Sequence, residues 1–294
     1  MKKQQVHTKR SGRSKKPRVV PTVGLRTSSA RDLYHFLLII SWPRFLGLTA
    51  LFYLAVNILF ALAYFIGGGI ANAKPNAFSD VFFFSVQTIS TIGYGVMFPD
   101  TLYANILVSL ETLVGLLGFA MVTGLIFAKF SRPSARILFS EVAVVAPFDG
   151  IPSLMFRVAN LRHNQILAAQ IQVALVRTEV MADGQTMRRI YDLNLHRSQT
   201  PIFEFSWTAI HKIESSSPLY GSNQKSFTNN DSETQIVITL IGIDETFSQT
   251  IYARHIYQGH EVKWDMRFAD ILKHDSEGGR FIDYTHFHKV LPIP

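Results

Sequence analysis

The chain contains two apolar stretches that are each long enough to cross a membrane. Residues 45–66 form a run of 22 residues without a charge. As an α-helix this run is about 33 Å long, which covers the hydrocarbon core of a bilayer. A second apolar stretch over 103–130 carries a single carboxylate, Glu111, before Lys129. The alternative for the first run is a secretory signal peptide, but both the run and the basic segment before it are longer than those of signal peptides.

A shorter, mostly apolar run lies between these two stretches, at residues 77–89. Its 13 residues are too few to cross a membrane, so the run predicts a re-entrant or buried half-helix. Gly67–Gly69 and Pro75 mark the turn out of the first span. The membrane part is therefore predicted as span, half-span and span.

A further apolar segment, residues 31–42, precedes the first span and ends at Pro43. It carries charge at its start and aromatic residues at both ends, which is typical of a helix lying in the membrane interface. The alternative is that it extends the span. Because the residue before a proline disfavours the helical region, Pro43 favours a separate interfacial helix.

The positive charge is concentrated at one end of the chain. Residues 1–31 hold ten Lys and Arg and no acid, whereas the remainder holds 19 basic and 21 acidic residues. A basic arm suits nucleic acid or an anionic membrane surface, and the spans favour the membrane. The basic residues that flank the spans follow the positive-inside rule. We therefore expect a multi-pass protein of the cell (inner) membrane with both termini in the cytoplasm; these flanking residues are Arg44, Lys129, Arg132 and Arg136.

The pattern changes to that of a β protein after Pro133. Residues 169–180 and 234–243 alternate or are β-branched, and turn clusters recur between such runs. About 160 residues suffice for one core, so a single β-sandwich is expected. The chain has no cysteine, no phosphate-binding glycine loop after a strand and no catalytic motif. We therefore predict no enzyme, no cofactor and no metal site beyond K⁺, since the ten histidines are scattered.

The motif Thr91-Ile92-Gly93-Tyr94-Gly95 stands between the half-helix and the second span. A potassium selectivity filter needs rings of backbone carbonyls that face one axis, and glycines permit the unusual dihedrals. The preceding half-helix directs its negative C-terminal end toward the cavity, which favours a cation. The tyrosine side chain is expected to pack behind the filter. One chain cannot encircle an ion, so the motif requires four copies.

These residues resemble those of the prokaryotic inward-rectifier potassium channel (KirBac) family. The resemblance covers about residues 31–290. It implies a homotetramer with a two-span pore and a cytoplasmic immunoglobulin-like β-sandwich. The segments that carry it are SWP (41–43), FFFSVQTISTIGYG (82–95), LETLVGLLGFAMVTGLIFAKFSRP (110–133), MFRVANLR (155–162), SQTPIF (198–203), HKIESSSPLYG (211–221) and ARHIY with EVKWDMRF (253–268).

The resemblance also assigns expected roles to single residues. Phe127 matches the gate at the inner helix bundle, where four phenyl groups can close a pore by dewetting. Phe119 and Ile241 occupy positions that are often acidic in strong rectifiers, which weighs against strong rectification here. Gly242 begins the stretch that matches the pore-lining loop of the cytoplasmic domain. Anionic phospholipid is expected as a modulator, with Arg31, Arg44, Lys129, Arg132 and Arg136 as candidate ligands or as plain topological flanks.

Four inner-helix residues have two interpretations each. Glu111 is an ionisable group inside a span and therefore a candidate functional residue, or it is a hydrogen-bonded residue behind the filter. Gly115, Gly118 and Gly124 weaken the helix and permit close packing, and Gly124 is a candidate hinge.

The overall prediction is a membrane α plus all-β protein. It has a basic arm over 1–30, an interfacial helix and pore module over 31–133, and a cytoplasmic sandwich over 134–294. Its partners are its own copies, K⁺ and membrane lipids, with no protein partner. The competing functions are a membrane-anchored scaffold and a nucleic-acid binder, and neither explains the filter motif with its half-helix.

Overall fold

The computed structural model describes residues 29–132, 135–162, 164–228, 234–274 and 279–293. The predicted basic arm, up to residue 28, and the side chain of Arg31 lie outside the described residues. The chain divides into two compact units between Arg132 and Pro133. The first unit is helical and the second is built from strands.

Two long helices and a short helix between them form the frame of the N-terminal unit. The two long helices are long and apolar enough to cross a membrane. This confirms the predicted arrangement of span, half-span and span. The four helices are α1 (Ser29–Ile39), α2 (Trp42–Gly67), α3 (Phe78–Ile89) and α4 (Leu102–Phe130), and the loops between them pair as strands β1 (Ile70–Ala71) and β2 (Phe98–Pro99).

The helix ends follow from local chemistry. The helical conformation is interrupted between α1 and α2, at Ile40 and Ser41. Pro43 lies in the first turn of α2, where its missing N–H costs nothing. Gly68, with φ of 66°, ends α2 in the left-handed region. At the start of α4 the Thr101 side chain accepts a hydrogen bond from the backbone N–H of Ala104 at 3.2 Å.

The three helices α2, α3 and α4 pack through a small aromatic and aliphatic core. Tyr64 and Phe84 meet edge to face with ring centroids 5.3 Å apart, and both are buried. Ala61 and Val81 complete the buried cluster. Most other apolar side chains of α2 and α4 are exposed in the single chain, as expected for helices that face lipid or neighbouring subunits.

The C-terminal unit is a two-sheet sandwich. The strands of the first sheet are β6 (Ile166–Val180), β7 (Thr186–Asp192), β8 (Gln199–Phe203), β10 (Gln235–Asp244) and β11 (Gln249–Gln258). The strands of the second sheet are β3 (Ile137–Phe139), β4 (Ala143–Phe148), β5 (Ile151–Asn160), β9 (Ser206–Lys212) and β12 (Val262–Trp264). The smaller elements are α5 (Gln224–Thr228), β13 (Met266–Phe268), β14 (Leu272–His274), β15 (Arg280–Ile282) and β16 (Val290–Pro292).

The two sheets share one hydrophobic core. The first sheet has the order β11–β10–β6–β7 with β8 on β6, and the second has β12–β4–β5–β3 with β9 on β5. Alternate residues of β10, such as Ile236, Ile238 and Leu240, are buried against Leu154 and Phe156 of the facing sheet's cluster. This confirms the predicted β-rich C-terminal domain.

The stretch predicted to line the cytoplasmic pore, residues 242–250, includes the end of β10 and the start of β11, and Gly242 lies within β10. Strand β10 continues to Asp244, so the turn to β11 comprises residues 245–248 only. Gly242 sits at an irregularity in the pairing of β10 with β6. A Cβ at this position would come within 3.3 Å of the Leu167 carbonyl oxygen and closer still to the Ile166 side chain. The glycine is therefore required by close strand packing and not by the turn.

Candidate ion-conducting site

The backbone after α3 has the unusual dihedrals that a carbonyl-lined filter needs. Thr91, Gly93 and Gly95 have φ of 56°, 57° and 81°, whereas Ile92 and Tyr94 between them are outside the positive region. The two glycines adopt this region without steric cost, but the β-branched Thr91 does so only with strain. The alternation is the feature expected where successive carbonyls turn toward one side.

The end of α3 holds the start of this segment. The backbone N–H of Ser90 donates to Val86 O at 3.1 Å, and that of Ile92 donates to Gln87 O at 2.8 Å. The last turn of α3 therefore continues directly into the filter motif. Its C-terminal carbonyls carry the negative end of the helix dipole, which favours a cation beside Thr91.

The side chains of the predicted filter motif are exposed in the single chain. Tyr94 is 71% exposed and Ile92 is 48% exposed. The predicted packing of Tyr94 behind the filter is therefore not made within one chain.

Glu111 is fully buried and hydrogen-bonded. Its Oε2 accepts from the Tyr64 hydroxyl at 2.6 Å, and its Oε1 accepts from the Ser85 hydroxyl. The carboxyl group has no exposed surface. Of the two interpretations given above, the hydrogen-bonded residue describes the contacts that the structure shows.

The three inner-helix glycines differ in what surrounds them. A Cβ on Gly115 would lie 2.7 Å from Ile89 Cγ1 and 2.9 Å from the Ile89 carbonyl oxygen. Nothing lies within 4 Å of a Cβ built on Gly118 or Gly124. Gly115 therefore permits α4 to approach the end of α3, whereas no close contact within the chain requires a glycine at Gly118 or Gly124.

Phe127 lies on the face of α4 opposite to Glu111. The two residues are sixteen positions apart, which corresponds to a rotation of about 160° and a rise of about 24 Å. Since Glu111 faces α2 and α3, Phe127 faces away from both helices, and its side chain is 73% exposed. Phe119 is also exposed. These aromatic side chains are free to meet other subunits or a pore.

Comparisons with known proteins show the family of the chain. Residues 137–294 match the family model "Inward rectifier potassium channel C-terminal domain", and residues 48–132 match the model "Ion channel". The chain belongs to the inward rectifier potassium channel family. It is 46% identical over 260 residues to "Inward rectifier potassium channel Kirbac3.1" of Paramagnetospirillum magnetotacticum, which covers 88% of each chain.

Eukaryotic members of the family are also similar. The chain is 34% identical over 230 residues to "Inward rectifier potassium channel 18" of Homo sapiens, covering 75% of this chain and 52% of that protein. It is 34% identical over 247 residues to "Inward rectifier potassium channel 4" of Rattus norvegicus, covering 77% and 54%. The chain thus spans about half the length of these two relatives. The prokaryotic resemblance inferred from the motifs is confirmed, and the family consists of ion channels and not of enzymes.

The basic residues predicted to meet lipid lie in different surroundings. Lys129 Nζ donates to the carbonyl oxygens of Leu38 at 3.0 Å and of Ile40, at the end of α1. The same amine lies 5.5 Å from the centroid of the Trp42 ring. Arg132 donates to Leu38 O at 3.3 Å.

Lys129 therefore satisfies the orphan carbonyls of α1 and complements its dipole. The side chains of Arg44 and Arg136 are exposed, and Arg31 has no described side chain.

The β10–β11 turn is held by Asp244. Its carboxylate accepts from the backbone N–H of Thr246 at 2.9 Å and faces Arg162 at 3.4 Å. Burial alone raises the pKa of Asp244, but the hydrogen bonds from Asn164 and from the backbone N–H groups of Phe247 and Thr246 outweigh it, with help from the Arg162 charge, and the net shift is downward. Ile241, just before Gly242, lies on the face of β10 away from the core.

Sequence reasoning missed the polar side chains that surround Glu111. Asn57 and Ser85 are fully buried, and Ser85 Oγ lies 3.1 Å from Asn57 Oδ1. Tyr53 and Ser90 pair through their hydroxyls at 2.7 Å. The available clue was Asn57, a polar amide in the middle of an uncharged span. Within the described residues no three His, Cys, Asp or Glu side chains are grouped so as to hold a metal ion.

Proposed function

We propose that four copies of this chain form a potassium channel in which Thr91–Gly95 are the selectivity filter. The observation that carries the proposal is the backbone of this segment, where positive φ alternates along the motif directly after a short apolar helix. Four such segments supply the carbonyl rings that replace the hydration shell of K⁺. Conduction is passive, and the permeant ion is the only ligand that the filter needs.

The proposed homotetramer is supported by the geometry of one chain. A single extended segment offers carbonyls from one side only, so it cannot surround an ion. The exposed Tyr94 and Ile92 side chains supply apolar surface for neighbouring subunits to bury. The exposed faces of α4 supply more of it.

We propose Phe127 as the gate. It lies on the face of α4 that points away from α2 and α3, and in a tetramer with α2 outside, that face points to the axis. Four phenyl rings close a pore by excluding water. Gly124, whose Cβ position is open, is the proposed hinge for opening. Phe119 lies between filter and gate, and its apolar ring, together with Ile241, weighs against strong rectification.

The remaining assignments concern the membrane and the second domain. We propose that residues 31–133 form the pore module in a cell (inner) membrane, with both termini cytoplasmic, and that residues 134–294 modulate the gate. Anionic lipid is the proposed modulator, through Arg44, Arg132 and Arg136 at about 1 kcal/mol each. Lys129 joins such a site only by giving up its hydrogen bonds to α1.

The proposal is tested by flux in liposomes. The purified full chain is reconstituted in liposomes loaded with K⁺, and uptake of trace Rb⁺ is measured with and without Ba²⁺. In detergent, the protein is expected to have the mass of four chains of 33.2 kDa each. The liposomes are expected to take up Rb⁺, Ba²⁺ is expected to block this uptake, and external Na⁺ is not expected to enter in place of Rb⁺. Well-folded tetramers that pass Na⁺ and K⁺ equally contradict the proposal.

The gate is tested by a matched pair of substitutions. Phe127→Ala is expected to raise flux, because the constriction is lost. Phe130→Ala, three residues on and equally exposed in the single chain, is expected to leave flux unchanged. Equal effects of the two substitutions contradict the assignment. Deletion of residues 134–294 separates a channel from a membrane-anchored scaffold, because only a channel core retains Rb⁺ flux.

A further inference from the structure

Three helices meet at one buried carboxylate. Glu111 of α4 accepts hydrogen bonds from Tyr64 of α2 and from Ser85 of α3. Glu111 and Ser85 have no exposed surface. An ionisable group inside a span is costly unless its oxygens are paired, so these hydroxyls are required partners and not incidental neighbours.

Further polar contacts lie along α2. Ser85 Oγ lies 3.1 Å from Asn57 Oδ1, although its one proton is donated to Glu111, and Asn57 Nδ2 donates to the backbone oxygen of Tyr53 at 2.8 Å. Among the described residues, the buried side-chain nitrogens and oxygens that lack a partner belong to Arg157 and Trp264. Each oxygen of the Glu111 carboxylate therefore has a hydroxyl donor, so the buried group fixes the arrangement of α2, α3 and α4 around it.

A second bond ties the same face of α2 to the base of the filter. Tyr53, Asn57 and Tyr64 are spaced by four and seven residues, so they share one face of the helix within about 40°. The Tyr53 hydroxyl pairs with the Ser90 hydroxyl at 2.7 Å. Ser90 immediately precedes Thr91, the first residue of the filter motif.

The filter backbone needs such support. Thr91 is a β-branched residue at φ of 56°, and strain of this kind persists only where the surroundings over-determine the backbone. Gly115, one turn after Glu111 on the same face of α4, brings that helix within contact of Ile89, the last residue of α3. The second half of α3 is thus in contact with α4 at both of its ends, at Ser85 and at Ile89.

We propose that Glu111 is a positioning residue for ion selection: with Tyr64 and Ser85 it fixes α3, and through the Tyr53–Ser90 bond the same face of α2 fixes the start of the filter. The proposal rests on the proposed function of Thr91–Gly95. Glu111 acts here through hydrogen-bond geometry and not through its charge.

The test compares two substitutions of Glu111 in the full-length tetramer. Glu111→Gln keeps a partner for both hydroxyls, since the amide oxygen accepts from one and the amide N–H donates to the other. Glu111→Leu has similar size and neither group. The readout is the permeability ratio of K⁺ to Na⁺ in liposomes, at equal amounts of tetramer. We expect the Gln variant to match the wild type and the Leu variant to fall by about 5- to 30-fold.

Two results overturn the proposal. A Leu variant as selective as the wild type shows that the network does not position the filter. A Gln variant as impaired as the Leu variant shows that charge and not geometry matters.

A second pair of variants decides the question if Glu111→Leu fails to assemble. Tyr53→Phe removes only the bond to Ser90, and Tyr103→Phe removes a comparable exposed bond to the Ala63 carbonyl, away from the filter. The proposal expects a lower permeability ratio in the first variant only. Equal ratios in the two variants contradict it.

Hydrogen exchange separates this inference from the proposed function. The backbone N–H groups of Ser90 and Ile92 are bonded to Val86 O and Gln87 O, and their exchange reports the filter base without any ion flux. Tyr53→Phe is expected to speed their exchange and Tyr103→Phe is not. A wild-type tetramer that does not select K⁺ refutes the proposed function, whereas unchanged exchange in Tyr53→Phe refutes the positioning role.

Discussion

Replacing Gly115 by alanine tests how closely α4 must approach the end of α3. The added Cβ would lie 2.7 Å from Ile89 Cγ1, 2.9 Å from Ile89 O and 3.4 Å from Ile89 Cα. Ordinary van der Waals contacts of a Cβ lie at 3.4–4 Å, so the first two of the three distances require movement. The side chain of Ile89 can rotate, but its carbonyl belongs to the last turn of α3 and moves only with the helix.

The expected magnitude follows from two opposing effects. Overpacking of this kind costs about 1–3 kcal/mol, and replacing a helical glycine by alanine returns up to about 1 kcal/mol. With about 1 kcal/mol recovered, the net loss is up to about 2 kcal/mol per chain, and the proposed tetramer carries it four times. Because α3 leads directly into Thr91, we also expect a lower K⁺ flux per tetramer.

Gly118→Ala is the matched control, since nothing lies within 4 Å of its Cβ in the chain. The assay is thermal dissociation of the proposed tetramer in detergent, followed by Rb⁺ flux of the same samples. We expect Gly115→Ala to dissociate at lower temperature than the wild type, and Gly118→Ala at the same or a higher temperature. Equal stability of the two variants would refute the packing role of Gly115.

Three further predictions concern the rest of the chain. Lys129→Met removes the cation that hydrogen-bonds to the Leu38 carbonyl, so backbone hydrogen exchange in α1 should rise about tenfold or more. Lys129→Arg should keep the exchange of the wild type. Unchanged exchange in the Met variant contradicts a stabilising role of the Lys129–Leu38 hydrogen bond. Gly242→Ala should lower the stability of the C-terminal unit by about 1–3 kcal/mol, because its Cβ meets the Leu167 carbonyl and the Ile166 side chain, and a stabilised variant contradicts the close packing. Burial lowers the pKa of His211, so the unfolded chain takes up a proton at this residue before the folded chain does as the pH falls below about 6.5, and stability is lost down to the folded pKa. The unfolding temperature of the full chain should therefore fall less steeply with acid in His211→Gln than in the wild type. An identical dependence of the unfolding temperature on pH in the two proteins contradicts this.

The helices of the membrane part were predictable because hydrocarbon permits few structures. An uncharged run of 22 residues in lipid satisfies its backbone only as a helix, and a run of 13 cannot cross. The observed α2 and α3 accordingly contain or nearly coincide with the predicted runs. The strands β6 and β10 were predictable for a similar reason, since one face of each is buried in a single core.

The partners of the site residues were not predictable from the sequence. Tyr64 and Ser85 are 47 and 26 positions from Glu111, and no local pattern specifies which hydroxyl meets the carboxylate. Lys129 reads as a membrane flank by position, yet its amine meets Leu38 O, 91 residues earlier.

Gly242 shows the same limit in the sandwich. The sequence marks a glycine near a turn, but the irregular pairing of β10 with β6 decides that it lies inside the strand.

The most direct test of the channel is its reversal potential between K⁺ and Na⁺. Purified tetramer is placed in a planar bilayer with K⁺ on one side and Na⁺ on the other, and the voltage of zero current is measured. A filter formed by four copies of Thr91–Gly95 predicts a reversal potential far toward the value for K⁺ alone, with current blocked by Ba²⁺. A reversal potential at zero, from tetramers that conduct, would contradict potassium selection by this protein.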